Sequence, residues 1–488
     1  MMSTRQRLAR LLLVRSSMGT HGGPSDATIA ALQAGVGAFH GPPLRASASS
    51  EAVRASRRFN NHLHEQAREA TGVEVLIGAN AETGLAYTTG AGGTDVPYPA
   101  ALGQLDPVMS RSAGRAVGLD LRACGYNWCF QPVADVRATP RDPVIGVRAF
   151  GTDPSTVAAH MREYGLGLQE AGILATVKHL PGHGDADVDS HLGLPVVLRS
   201  ESEWSRHLLP FAEAVRAGLG AMMTAHLRFG DESNGTVSTF DPRICTELLR
   251  NDLGFTGLLV SDSLRMAAVS KQHSPAEAAL LAINAGCDVA NVKCPPELVP
   301  SVLDEMEHGL LDGTVTEERV REAFGRVLAA PLDVDSTTHE VLTDALPLLS
   351  EELAVGTVGE PRLPAGTGPI TVVMAESSGE APTASALGFR LSRIVGRPVQ
   401  VRHETSALTG PTVIVSYGQA GPTAWEAEAI AGIERSGIPA VVFLAGPPDT
   451  LDHYWADLPA VAVPALDVFG MPSLSGFSAA FQVLLSDT

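Results

Sequence analysis

From Lys178 to His191 the chain reads Lys-His-Leu-Pro-Gly-His-Gly-Asp-Ala-Asp-Val-Asp-Ser-His, with aspartates at 185, 187 and 189 and histidines at 179, 183 and 191. Titratable groups this dense suit metal binding or proton transfer. An EF-hand loop counted from Asp185 puts Ser190 where glycine is needed and Val196 where a bidentate glutamate is needed, so that template fails. The histidines lie on a segment broken by Pro181, Gly182 and Gly184 and make no helical HExxH face, which leaves zinc the lesser alternative and no metal or cofactor expected. Proton transfer fits better. Asp189 and His191 flank Ser190, so on an extended segment both side chains point the same way, and the carboxylate can orient the imidazole and raise its proton affinity. A histidine held in this way donates and accepts near neutral pH. The competing use of the segment is a solvated acidic turn.

A second candidate is Asp262, which follows the apolar run Leu258-Leu259-Val260. A carboxylate at the end of such a run is costly to desolvate and needs partners or a task. Lys178 or Arg148 nearby would keep it ionised and fit for nucleophilic attack. The alternative is that Asp262, or Ser263 beside it, caps the following helix.

The elements that must position these groups follow from hydrophobic patterning. Short apolar, often β-branched runs at 11–14, 36–40, 73–80, 128–136, 173–179, 221–226, 257–262 and 289–292 alternate with helical patterns such as 155–171, 201–217 and 274–285. Eight strands separated by helices in about 330 residues predict a closed (β/α)8 TIM-like barrel over residues 1–335. A barrel works at the C-terminal ends of its strands. Five successive predicted strands end in polar groups: Asn80 and Glu82, then Asp135, then Lys178 and His179, then His226, then Asp262. Prolines 331, 347, 361 and 364 punctuate a linker over 336–364, and strands predicted at 370–375, 399–402, 412–416, 440–444 and 460–463 argue for a smaller three-layer α/β sandwich over 365–488.

Composition narrows the function classes. A formal charge of −19, from 54 acidic against 35 basic residues, opposes nucleic-acid binding. Five cysteines without a CxxC pair suit a reducing, cytoplasmic setting better than a disulfide framework. The apolar run at 11–14, bounded by Arg10 and Arg15, is too short for a signal peptide, and no stretch is long enough for a membrane span.

On these residues the chain resembles glycoside hydrolase family 3, and within it the bacterial β-N-acetylglucosaminidases. The stretch KHLPGHGDADVDSHLGLP (178–195) carries the resemblance, supported by PVADV around Asp135, PVIGVRAFGTDP around Arg148, MTAH ending at His226 and LGFTGLLVSDSLRM ending at Met266. The resemblance implies a retaining double displacement on a terminal β-linked N-acetylhexosaminide, such as an N-acetylglucosamine glycoside or a muropeptide fragment. Asp262 would be nucleophile and His191, held by Asp189, acid and base. Arg148, Lys178, His179, Asn80, Glu82, Asp135, His226 and Met266 would line or shape the sugar site. Where many members have Asp-Gln-Glu-Gly-Gly, this chain has Asn80-Ala81-Glu82-Thr83-Gly84, which puts the sugar epimer in question. Two other outcomes stay open: a phosphorylase that uses inorganic phosphate, and a sugar-binding protein without catalysis.

Overall fold

The computed structural model describes residues 2–42, 49–89, 92–138, 144–186, 194–229 and 236–330, together with six short strands between 357 and 463. Up to residue 330 the strands are β1 (Leu13–Arg15), β2 (Ala38–His40), β3 (Leu76–Ala79), β4 (Trp128–Cys129), β5 (Leu174–Leu180), β6 (Val196–Val197), β7 (Ala221–Thr224), β8 (Arg228–Phe229) and β9 (Leu258–Val260). Seven of them form one parallel sheet in the order β1-β2-β3-β4-β5-β7-β9, and β6 pairs with β8 separately. Beyond the sheet's last strand, Val289 bridges Val260 and Ala290 bridges Leu12, so this segment joins the two edges of a curled sheet.

Parallel strands buried on both faces need apolar residues without alternation. All seven residues of β5 are buried, and β7 and β9 are buried throughout. The intervening helices start as the residue types dictate. Asp106 and Asp153 cap Pro107–Ala123 and Pro154–Glu170 with proline in the first turn, and Ser200 with Glu203 forms a capping box on Glu201–Arg216. Phe130 closes one end of the sheet's interior, and its ring lies so near Gly78 of β3 that a Cβ there would collide with it. The regular strand β4 ends at Cys129, short of the predicted 136, and Pro132 beyond it has no N–H to give. Backbone hydrogen bonds still run on beyond it, from the Phe130 N–H to the Ala79 carbonyl and from the Thr176 and Lys178 N–H groups to the Gln131 and Pro132 carbonyls, and Val133 bridges Lys178.

Asp288 ties the sheet to its outer helices. Its buried carboxylate accepts from Arg250 Nη2 at 2.7 Å, Arg319 Nη2 at 3.0 Å, Arg326 Nη1 at 3.0 Å and the backbone N–H of Leu259 at 3.0 Å. Deleting one partner of a buried ion cluster leaves uncompensated charge, so Asp288→Ala is expected to cost about 3–5 kcal/mol in urea unfolding. A loss below about 1 kcal/mol would show the cluster to be dispensable. The five cysteines are all buried thiols without disulfides.

The second region carries a six-stranded sheet of β10 (Thr357–Val358), β11 (Ile370–Met374), β12 (Val399–Arg402), β13 (Thr412–Ser416), β14 (Ala440–Ala445) and β15 (Ala460–Val463), in the order β10-β15-β14-β13-β11-β12. All pairings are parallel except that of β10 with β15. Five strands coincide with the predicted ones. The sixth lies inside the stretch predicted as linker, because a two-residue edge strand has no periodicity to read. Among the described residues no helix is long and apolar enough to cross a membrane.

Candidate active site

At the C-terminal ends of the strands lies a cavity of about 600 Å³, within the range that holds a small ligand. Of the residues singled out along the chain, Asn80, Glu82, Arg148, Lys178, His179, Asp262 and Met266 line it. Asp135 and His226 do not line it and instead sit behind its wall. Asp189 and His191 lie outside the described residues.

The wall is organised around two carboxylates. Glu82 takes the guanidinium of Arg148 through Nε at 2.9 Å and Nη2 at 2.8 Å, and the ammonium of Lys178 at 3.2 Å. Burial alone would raise the Glu82 pKa, but the charges of Arg148 and Lys178 outweigh it and hold the group at about 2. Burial pushes Lys178 below the usual lysine range, opposed by Glu82. Its Nζ also reaches Asn80 Oδ1 at 3.4 Å. Arg148 is thus both an ion-pair partner and a wall of the cavity.

Asp135, fully buried, accepts from His179 Nδ1 at 2.7 Å and from the backbone N–H of His183 at 2.7 Å. Burial opposes its ionisation, but the His179 charge and hydrogen bond hold it at about 2. It therefore fixes the ring of His179 and the start of the loop at 181–186. Lys178 and His179 are sequence neighbours, which a regular strand would send to opposite faces, yet both line the cavity. The peptide between them is cis, and the pairing of β5 with β7 shifts register between Lys178 and Leu180. Gly182 then turns the chain with φ +103°, a conformation side chains rarely adopt. Asp185, a candidate metal ligand by spacing, accepts from Arg199 at 2.6 and 2.7 Å.

Asp262 stands two residues beyond β9. One carboxylate oxygen accepts from the Ser263 N–H at 2.6 Å. Burial would raise its pKa, but the His179 and His226 charges, the Ser263 hydrogen bond and the Lys178 charge bring it to about 2. Lys178 thus acts as expected, whereas Arg148 directs its guanidinium to Glu82, and the two histidines contribute more. Neither Asp262 nor Ser263 caps the next helix: Ala267–Ser270 begins after Met266 with no side-chain cap. His226 supports the loop behind Asp262, donating from Nε2 to the Ser263 carbonyl at 3.0 Å while Nδ1 meets Thr239 Oγ1 at 2.8 Å. A fixed, ionised carboxylate facing a polar cavity can act as a nucleophile.

The cavity also includes Arg15, His40, Asn291 and Lys293, which sequence reasoning missed. The signal was present, because Arg15 and His40 end β1 and β2, and Asn291 and Lys293 follow the Val289–Ala290 bridge. The rule that singled out five strand ends applies equally to these three.

The profile of the glycosyl hydrolase family 3 N terminal domain matches residues 44–330. A β-N-acetylglucosaminidase/β-glucosidase of Cellulomonas fimi is 32% identical over 332 residues, 60% of this chain and 57% of that protein. A β-hexosaminidase of Methylococcus capsulatus is 35% identical over 240 residues, 48% of this chain and 71% of its own. The solved structure of a family 3 β-N-acetylglucosaminidase from Paenibacillus sp. is similar with a TM-score of 0.82 at 27% identity, covering 100% of this chain and 97% of that one. The chain therefore spans little more than half the length of the Cellulomonas relative.

Proposed function

Because the chain belongs to glycosyl hydrolase family 3, we propose that it is a retaining β-N-acetylhexosaminidase that releases terminal β-linked N-acetylglucosamine, with Asp262 as nucleophile and an Asp189/His191 pair moving the proton. The observation that carries this is an Asp262 held ionised, at a pKa of about 2, on the wall of a polar cavity. The names of the relatives in Cellulomonas, Methylococcus and Paenibacillus support the substrate class. The curled sheet up to residue 330 is read as a (β/α)8 barrel and the second sheet as the middle of an α/β sandwich that begins by Thr357. Buried, unpaired thiols support a reducing, cytoplasmic setting.

In the first step an Asp262 oxygen bonds to C1 as the C1–O bond to the aglycone breaks and His191 protonates the departing oxygen. In the second, His191 takes a proton from water, whose oxygen displaces Asp262 from C1. Arg148, Lys178 and Asn80 bind ring hydroxyls, and Glu82 holds the two cations in place. Asp135 and His226 are positioning residues, acting through His179 and the Ser263 loop. A muropeptide fragment is a fitting natural substrate under this reading.

A histidine acid/base repels inorganic phosphate less than a carboxylate would, so phosphate is the competing acceptor in the second step. Turnover of para-nitrophenyl N-acetyl-β-glucosaminide with and without phosphate distinguishes them: free N-acetylglucosamine in both buffers is expected, and the sugar 1-phosphate as main product would convert the reading to a phosphorylase. His191→Ala is expected to slow an aryl glycoside with a poor leaving group far more than one with a good one, and azide should yield the β-glycosyl azide. No turnover of any aryl N-acetylhexosaminide by wild type would favour a binding protein instead.

A further inference from the structure

Arg199 is the first charged residue after the stretch of chain that carries Asp189 and His191. Its side chain has no exposed surface, and all four of its hydrogen bonds go to residues that precede that stretch. Nε and Nη2 donate to the two Asp185 oxygens at 2.7 and 2.6 Å, Nη1 donates to the Pro181 carbonyl at 3.0 Å, and Nη2 also donates to the Gly182 carbonyl at 2.6 Å. The guanidinium carbon lies 5.1 Å from the centre of the Trp204 ring and 4.9 Å from that of Phe229, close enough for cation–π attraction. His207 Nε2 stands 3.4 Å from the same Asp185 carboxylate, but burial and then the Arg199 charge press the His207 pKa down to about 4. At neutral pH the counter-charge of Asp185 is therefore Arg199.

One side chain thus ties together the two flanks of 187–193. A smaller apolar contact does the same, since Ala186 before that stretch and Val197 after it share a cluster with Ala225 and Leu227, separate from the main core. The neighbours of Val197 face outward, Val196 at 38% and Leu198 at 76% exposure, which leaves Val197 and Arg199 as the inward anchors of this segment. Through β6 it also pairs with β8, where Val196 stands opposite Arg228 and the Arg228 N–H donates to the Pro195 carbonyl at 2.9 Å. β8 begins two residues after His226, which holds the Ser263 carbonyl behind Asp262. The flanks of the proposed acid/base pair are in this way joined to the segment that supports the proposed nucleophile.

A stabilising ion pair needs only the carboxylate of Asp185. The two further bonds go to main-chain carbonyls of the turn at 181–182, and they fix backbone shape through the planar geometry of the fork. Resting on the glycosidase reading above, we propose that Arg199 is a positioning residue, which sets the separation of the two flanks and through it the placement of His191 against the leaving oxygen.

Arg199→Lys tests this, because lysine keeps the charge but cannot span two carboxylate oxygens and two carbonyls at once. Misplacing a reacting group by about 1 Å can cost about 100-fold, so kcat/KM on phenyl N-acetyl-β-glucosaminide is expected to fall about that far. On the 2,4-dinitrophenyl glycoside, whose leaving group needs little protonation, the fall should not exceed about threefold. In a His191→Ala background the same substitution should lower the phenyl rate by no more than about threefold further, since residues acting through one proton transfer are not additive. Equal losses on both glycosides, an additive loss in the His191→Ala background, or unchanged phenyl kinetics in Arg199→Lys would each overturn the proposal. Should Arg199→Lys lack a native circular dichroism spectrum, Asp185→Asn, which removes the two-oxygen acceptor of the fork, is read by the same comparisons. Failure of the glycosidase reading shows separately, as a wild type that turns over neither glycoside or a His191→Ala that slows both equally, and either result ends the proposal as well.

Discussion

Asp262→Asn is expected to lower kcat/KM on para-nitrophenyl N-acetyl-β-glucosaminide by about 10⁴-fold or more, since under the proposed mechanism loss of this carboxylate removes the covalent path altogether. The amide oxygen can still accept from the Ser263 N–H, so the loop should hold its place. What disappears is the negative charge that His179, His226 and Lys178 surround. Since those charges favour the ionised form, the substitution should also cost up to about 2 kcal/mol of stability at neutral pH, far too little to unfold a protein of this size. Azide supplied to Asp262→Gly should take the vacated place and give the α-glycosyl azide, the opposite anomer from that expected of His191→Ala. Activity within tenfold of wild type in Asp262→Asn, with a native circular dichroism spectrum, would remove Asp262 from the mechanism.

The second large effect is expected at Glu82, which touches no reacting atom in the proposed mechanism. Glu82→Gln leaves Arg148 and Lys178 buried without their counter-charge, and breaking such a set costs about 3 kcal/mol or more. Lys178, already lowered by burial, can relieve part of this by losing its proton, which would weaken its hold on a sugar hydroxyl. KM should therefore rise along with the fall in stability. The sign of the pH dependence follows from the depressed carboxylate. Glu82 ionises at about 2 when folded and at 4.5 in its ordinary state, so its contribution is complete above pH 4.5 and is lost as pH falls toward 2. Asp135 and Asp262, both at about 2, act in the same direction. Urea unfolding of wild type should thus show stability falling from pH 4.5 to 2, with a shallower slope in Glu82→Gln. An identical slope in the two proteins would mean that Glu82 is not ionised by its partners.

Most of the architecture up to residue 330 was open to reading along the chain, because strand burial and helix capping are written in adjacent residues. The apolar run before Asp262 and the Asp-Pro starts of two helices are local signals with local causes. Asn80, Glu82, Lys178, His179 and Asp262 were found because each ends a predicted strand and strand ends share one rim. Met266 is reached only through a family motif, and Arg148 through its motif and as a charge near Asp262, since neither stands on a strand.

The tertiary structure decided what those residues do to one another. Residues 82, 148 and 178 become one ion cluster only when three separate segments converge, and no spacing in the sequence reports a distance between side chains. The same holds for Asp135 and His226. Both look like cavity residues from their strand ends, yet packing turns them behind the wall, where they orient His179 and the Ser263 loop. Arg15, His40 and Lys293 likewise meet at one cavity only because the segment after Ala290 closes against β1. Residue type and periodicity establish which groups are available at the rim. Chain closure and burial establish which of them share a field, because Coulomb energy and desolvation depend on separation in space and not along the chain.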